Sequence, residues 1–236
     1  MSFFTSKAFS VFITFLAFYG AQRLYLRFKH FWLNPVLLAI LGLMAFLTLT
    51  GLRYEDYFQG GQIISFFLGP SVVALGVPLY LQMEEIRKRG RAIGISLGVA
   101  AVVGVLSAAG TAALLGASAP VVASIAPKSV TTPIAMGIAE KIGGIPPLTA
   151  AIVIATGILG AVIGPGVLRL CGVRQPVAFG LAMGAASHGI GTARAVEEGE
   201  VQGAAGGLAI CLNGIATAVV TPFLVKLVLL WVRHQP

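Results

Sequence analysis

The chain has 236 residues, of which 57% are hydrophobic and only 10% charged, with a formal net charge of +8. Soluble domains carry roughly a quarter charged residues, so composition excludes a soluble core-and-surface architecture. The positive charge lies in short clusters between apolar runs, such as Arg87, Lys88, Arg89 and Arg91; this pattern sets membrane topology and excludes a nucleic-acid face.

Apolar segments fall at about 8–26, 35–50, 62–82, 92–117, 120–140, 147–168, 176–193 and 203–231, several of them near the roughly 20 residues that cross hydrocarbon as a helix. The stretch Ala92–Pro127 runs 36 residues without a charge. Short alternating strands of the kind a β-barrel needs are lacking, so the expected class is an all-α polytopic membrane protein. The first run follows Lys7, carries aromatic bulk and lacks a small-residue cleavage site, and is expected to be a retained helix rather than a removed signal peptide. Cys171 and Cys211 have neither metal nor redox spacing and are expected to pack as small residues.

The eight segments sort into two sets of four. A step of 112 residues carries the starts at 8, 35 and 92 onto 120, 147 and 204, and the start at 62 to within two residues of 176. This suggests one membrane domain over 1–236 made of two repeats, about 8–117 and about 120–232. Charge bears on their orientation. Arg23, Arg27, Lys29, Arg87–Arg91, Arg169, Arg174 and Arg233 are expected in the cytoplasm, and the acidic loop Glu197, Glu198, Glu200 outside. Eight alternating crossings do not satisfy this; one re-entrant segment restores parity. Segment 120–140 is the best candidate, because Pro120, Pro127, Lys128 and Pro133, followed by Glu140, Lys141, Gly143 and Gly144, suit no continuous lipid-facing helix. The expected topology is therefore about seven spanning helices plus one broken segment, in two inverted repeats with discontinuous helices. This is a recurring plan of secondary transporters. An ordinary eight-span bundle is the alternative.

Ionisable groups are costly at membrane depth, so the few that interrupt Gly-rich segments are the candidate site. In Pro127-Lys128-Ser129-Val130-Thr131-Thr132-Pro133, Pro133 suits a first helical turn and Thr131 or Thr132 a cap. A buried helix N-terminus attracts anions; Lys128 adds charge, and Ser129, Thr131 and Thr132 add hydroxyls for a small carboxylate. A lysine snorkelling beside a proline kink is the alternative. In Gly184-Ala-Ala-Ser187-His188-Gly189-Ile-Gly191-Thr-Ala-Arg194, Gly189 and Gly191 permit an unwound helix, Ser187 and His188 face the break, and His188 titrates near neutral pH. A hydrogen-bonded packing histidine is its alternative. Arg194 is either a carboxylate fork or an interfacial charge. Glu140 is a second coupling candidate besides His188, or a simple interfacial carboxylate, and Asn213 in the last segment needs a partner, which Thr217 one turn on or a broken helix opposite would supply. Pro70 and Pro78 mark a further break with no charge of its own. Catalytic, metal and cofactor motifs are not expected. Ser187 beside His188 is not a triad, because neighbours in sequence do not aim at one point, and no P-loop is present.

The runs Lys128-Ser-Val-Thr-Thr-Pro-Ile-Ala with Gly143-Gly144, Ala186-Ser-His-Gly-Ile-Gly-Thr-Ala-Arg194, Leu68-Gly-Pro-Ser71 and Val77-Pro-Leu-Tyr80 closely resemble the LrgB family, also described as CidB-like. The resemblance implies one of two roles. One is an antiholin-like regulator of murein hydrolase activity and autolysis, acting beside a small LrgA/CidA-type membrane partner. The other is a carrier of glycolate and glycerate, as in the plastid relative, or of pyruvate. With the residues above, the expectation is a multi-pass protein of the bacterial inner membrane, in contact with lipid and self-associating through its glycines. It is expected to carry small monocarboxylates by proton symport or exchange, with Na+ held by backbone carbonyls and hydroxyls of Thr131, Thr132, Ser187 and Asn213 as the alternative.

Overall fold

The computed structural model describes residues 6–28, 33–67, 70, 73, 80 and 83–233, all of their regular structure helical. The chain forms two compact units, 1–73 and 74–236.

The first unit holds α1 (Lys7–Phe28), α2 (Pro35–Thr50) and α3 (Tyr54–Phe66). Asn34 starts α2 by accepting the Val36 and Leu37 N–H groups on its side-chain oxygen, Pro35 fits the first turn, and Gly51 at φ 65° ends the helix. These are the ordinary start and stop signals. α1 packs on α2 and α3. Gly60 allows the closest approach, since a Cβ there would lie 2.5 Å from the Lys7 carbonyl and from Ser10 Cβ, and Thr14 bonds Tyr57 at 2.7 Å. Phe12, Phe15, Leu41 and Leu49 are exposed, as hydrocarbon allows. Pro70 is helical and exposed; Pro78 and most of the two flanking motifs lie outside the described residues.

The second unit holds α4 (Met83–Leu114), α5 (Ala119–Ile125), α6 (Thr132–Lys141), α7 (Pro146–Leu170), α8 (Pro176–Glu198) and α9 (Glu200–Arg233). Among the described residues four helices, α1, α7 and most of α4 and α9, are long and apolar enough to cross a membrane. Packing partners give the chain direction. Ile93 and Leu97 cluster with Leu208 and Ala209, and Val105, Ala109 and Ala112 with Val225 and Val228, so α4 and α9 run parallel. On the way back, Val122, Ala123 and Ala126 join the upper α4 cluster, and Ser129 Oγ reaches Gly104. The chain then turns, α6 returns, and Ile145 N–H donates to Ser124 Oγ at 2.7 Å. α5 and α6 thus form a folded-back pair with its turn at Pro127–Val130.

α8 does the same. Ser187 (φ −134°, ψ 17°) and His188 (φ 42°, ψ −134°) interrupt it, and the two legs pack on each other: Phe179 and Met183 cluster with Ala195, and a Cβ on Gly191 would meet the Met183 carbonyl at 2.7 Å. In a continuous helix, residues eight apart are about 12 Å apart. Segment 176–193, expected as an interrupted crossing, therefore turns back on itself. Two charge assignments change with it. Glu198 accepts from Arg169 at 2.6 Å, so the acidic loop lies at the same end as Arg169 and Arg174 and not opposite them, while α9 carries Arg233 to the other end. The break also sits one residue before the expected glycine. Gly189 is helical with open space around it, and Gly191 serves close approach rather than unwinding.

The legs fit because α7 and α9 present glycines. A Cβ on Gly160 would lie 1.6 Å from Ser187 Oγ, one on Gly157 2.7 Å from the His188 ring, and one on Gly164 2.8 Å from Met183 Sδ. Gly180 and Gly184 of the first leg meet the Gln202 and Gly206 carbonyls at 2.2 and 2.4 Å by the same measure. Such small-residue contacts are what hold helices together in lipid. Gly160→Ala is expected to lower the melting temperature of the purified protein, as overpacking by about 1–3 kcal/mol does. Gly166→Ala, with nothing near its Cβ, is expected to leave it unchanged or higher, and equal effects from the two would contradict this packing.

Candidate functional site

The two turns meet on α7. Val153 is fully buried, its side chain clustered with Val130, Ala135 and Ile138 of the first folded-back pair. Its carbonyl is 2.9 Å from His188 Nε2 at the tip of α8. α9 closes the group: Asn213 Nδ2 donates to the Ala185 carbonyl at 3.0 Å, and Gly214 gives room to Ile134 of α6. The structure thus brings together the turn that carries Lys128–Thr132, the tip with Ser187 and His188, and Asn213, from three stretches of sequence.

Each part has a local cause. Pro127 and Pro133 bracket a turn held by Lys128 N–H to Ile125 O and Val130 N–H to Pro127 O. Thr131 occupies the cap position of α6 with extended backbone but makes no cap bond, so its side chain leaves the first-turn donors unsatisfied. Lys128 is half-buried, and its Nζ donates to Ser129 Oγ at 3.3 Å; among the described residues it has no acidic partner. His188 is the one non-glycine residue with positive φ among those described. That conformation is strained for a residue with a Cβ, and the Val153 bond and the slot at Gly157 hold it. Ser187 and His188 are 2% and 5% exposed, so neither is a surface group.

Four side-chain oxygens or hydroxyls here and nearby are buried without a hydrogen-bond partner among the described residues: Thr131 Oγ1, Thr192 Oγ1, Asn213 Oδ1 and Thr217 Oγ1. An orphaned buried polar atom costs about 1–3 kcal/mol, so folding alone does not favour keeping them. Two predicted residues are elsewhere. Arg194 donates to Glu197 at 3.0 Å and Glu198 at 2.7 Å, beside the Arg169 bond to Glu198, in a charge cluster where the legs of α8 open. Glu140 is exposed in the last turn of α6, two turns from Pro133. Sequence reasoning missed Val153 and the slot glycines; the Gly157, Gly160, Gly164 spacing, which puts all three on one helix face, was the available signal. Of the two partners expected for Asn213, the broken helix opposite supplies the bond and Thr217 does not.

The arrangement offers a fixed cation, a helix N-terminus and hydroxyl donors on one turn, and a titratable imidazole on the other. His188→Gly is expected to melt higher than His188→Ala by a shift corresponding to about 1 kcal/mol, because both lose the Val153 bond and only glycine relieves the positive φ. The reverse order would show the backbone there to be unstrained.

A family model for the LrgB-like family matches residues 14–227. The chain is 36% identical over 217 residues to the Bacillus subtilis protein YwbG, covering 92% of this chain and 96% of that one. It is 35% identical over 221 residues to a Haemophilus influenzae protein, covering 94% and 96%. A third relative, from Bacillus cereus, carries the name antiholin-like protein LrgB and is 35% identical over 201 residues, covering 84% of this chain and 87% of its own. No solved structure matches the chain. With its long apolar helices and a match that spans both folded-back elements, this multi-pass membrane protein belongs to the LrgB-like family.

Proposed function

We propose that the chain is a secondary transporter of small monocarboxylates of the size of glycolate, glycerate, lactate or pyruvate, moved with a proton or in exchange for another anion. The observation that carries this reading is Lys128, a half-buried cation with no acidic partner among the described residues, placed on the turn before the uncapped first turn of α6. A charge in that setting is costly unless an anion answers it. Ser129, Thr131 and Thr132 supply hydroxyls, and the tip of α8 with Ser187 and His188 packs on α7 at Val153 as this turn does; Asn213 holds that tip through its amide bond to the Ala185 carbonyl. An anion entering against a negative-inside potential faces about 2.3 kcal/mol per charge per 100 mV, so accumulation needs a coupled ion or exchange; His188 is the titratable group at the tip. Arg194, paired with Glu197 and Glu198, and Glu140, exposed at the end of α6, lie outside this cradle.

We infer that α5–α6 and α8 enter the bilayer from opposite faces as two inverted repeats. Each follows a long helix, α4 or α7, running in the opposite sense. Gly116 at φ 78° and Gly172 at φ 73° end those two helices, Pro120 and Pro176 begin the folded-back elements, and Ser129 meets Gly104 as Ser187 meets Gly160. The step between Gly116 and Gly172 is 56 residues, so this pairing is a different one from the 112-residue step between 8–117 and 120–232. Arg91, Arg169 and Arg174 share an end of the second unit, and by charge bias that end faces the cytoplasm of the bacterial inner membrane. Self-association is part of the same proposal.

The name of the Bacillus cereus relative favours a second reading, an antiholin-like regulator of murein hydrolase activity working with an LrgA/CidA-type partner. Reconstitution separates the two. The carrier predicts saturable uptake of labelled glycolate or pyruvate that unlabelled carboxylate competes away, and Lys128→Ala is expected to raise KM by about tenfold or more, the loss of one charge-assisted contact. Leakage of dye and ions without competition would establish the regulator reading instead. Uptake only in the presence of the small partner would make that partner part of the carrier.

A further inference from the structure

We propose that the second unit holds a monovalent hard cation, Na+ by chemistry, on oxygens of Asn213, Thr217 and Thr131. The role of such an ion in coupling rests on the carrier reading; its binding does not.

Asn213 is 1% exposed. Its Nδ2 is committed to the Ala185 carbonyl at 3.0 Å, and this fixes the amide, because a flipped Oδ1 would face a carbonyl oxygen. Oδ1, an acceptor only, is therefore the atom left buried without a partner. Thr217 lies one turn further along the same face of α9 and is 2% exposed. A buried helical threonine ordinarily donates to the carbonyl four residues back, as Thr221 does to Thr217 at 2.6 Å and Thr14 to Ser10 at 2.7 Å. Thr217 does not, and its Oγ1 has no partner among the described residues. Thr131 Oγ1 shares that state, and the contact of Ile134 with Gly214 seats the first turn of α6 on this part of α9.

The donor set decides the ligand. It consists of neutral oxygens and contains no carboxylate, imidazole or thiolate. Divalent ions take carboxylates and transition metals take nitrogen or sulfur, and no metal-type cluster of three His, Cys, Asp or Glu occurs among the described residues. An anion would meet the Asn213 acceptor unfavourably. Ala185 belongs to the last turn of the first leg of α8, the negative end of that half-helix, and carbonyls at broken-helix ends are where transporters hold Na+.

The test is thermal unfolding of the purified full-length protein with no carboxylate present, titrating NaCl against choline chloride at constant ionic strength. The wild type is expected to show a saturable rise in melting temperature with Na+ that choline does not give. Thr217→Val, isosteric and without the hydroxyl, is expected to raise the half-saturating Na+ concentration by about tenfold. Thr131→Val serves the same purpose should Thr217→Val fail to fold. Identical Na+ and choline titrations, or valine variants that titrate like the wild type, would overturn the site. Carboxylate uptake in the same preparation is a separate readout, so loss of the carrier reading and loss of the cation site are distinguishable.

Discussion

The second unit depends on the absence of Cβ atoms at Gly157 and Gly160 of α7. Any side chain at Gly160 would occupy the position of Ser187 Oγ, and the tip of α8 would be pushed out of the slot in which His188 reaches the Val153 carbonyl. A helix interrupted in hydrocarbon leaves backbone groups without partners, and such groups are tolerated only where protein surrounds them. The slot supplies that surrounding, and the histidine ring and the Asn213 amide supply bonds that water would otherwise make.

α7 is therefore a shared post. Its middle buries the turn of α5–α6 through the Val153 side chain and receives the turn of α8 through the Val153 carbonyl. Because both turns lean on one residue, movement of either changes the surroundings of the other. This is the physical basis on which a bound anion at Lys128 and an ion at Asn213 would influence each other, through differential contact with one packed arrangement. The Arg169, Arg194, Glu197 and Glu198 cluster ties the open end of α8 to the end of α7, so that end is fixed by charge where the tip is fixed by packing.

Much of the site was legible because charge is rare in this chain. Lys128 and His188 stand out in Gly-rich apolar surroundings, Pro127 and Pro133 mark a turn by what proline cannot do, and a lone Asn213 in an apolar helix demands a partner. The fold-back of α8 was not legible in its own sequence, since a stretch of 23 residues has the length of a crossing whether or not it reverses, and both legs have the same small, apolar composition. Its signature lies in a different helix, in the Gly157, Gly160, Gly164 stripe of α7. The side of the acidic loop was hidden for the same reason: one crossing would separate Glu197 and Glu198 from Arg169, whereas the reversal pairs Glu198 with it. The strained residue is His188 rather than Gly189, because position in the slot, and not intrinsic backbone preference, selects where the chain turns.

Cysteine accessibility tests the reversal most directly. Cys171 is exposed and Cys211 buried, and Glu200 at the start of α9 is exposed. With Cys211→Ala as background, a membrane-impermeant maleimide is applied to right-side-out and inverted membranes carrying either native Cys171 or Glu200→Cys with Cys171→Ser. If α8 turns back at Ser187–His188, both positions label from the same face of the membrane. Labelling from opposite faces would mean that α8 crosses, and the meeting of the two turns on Val153 would be wrong.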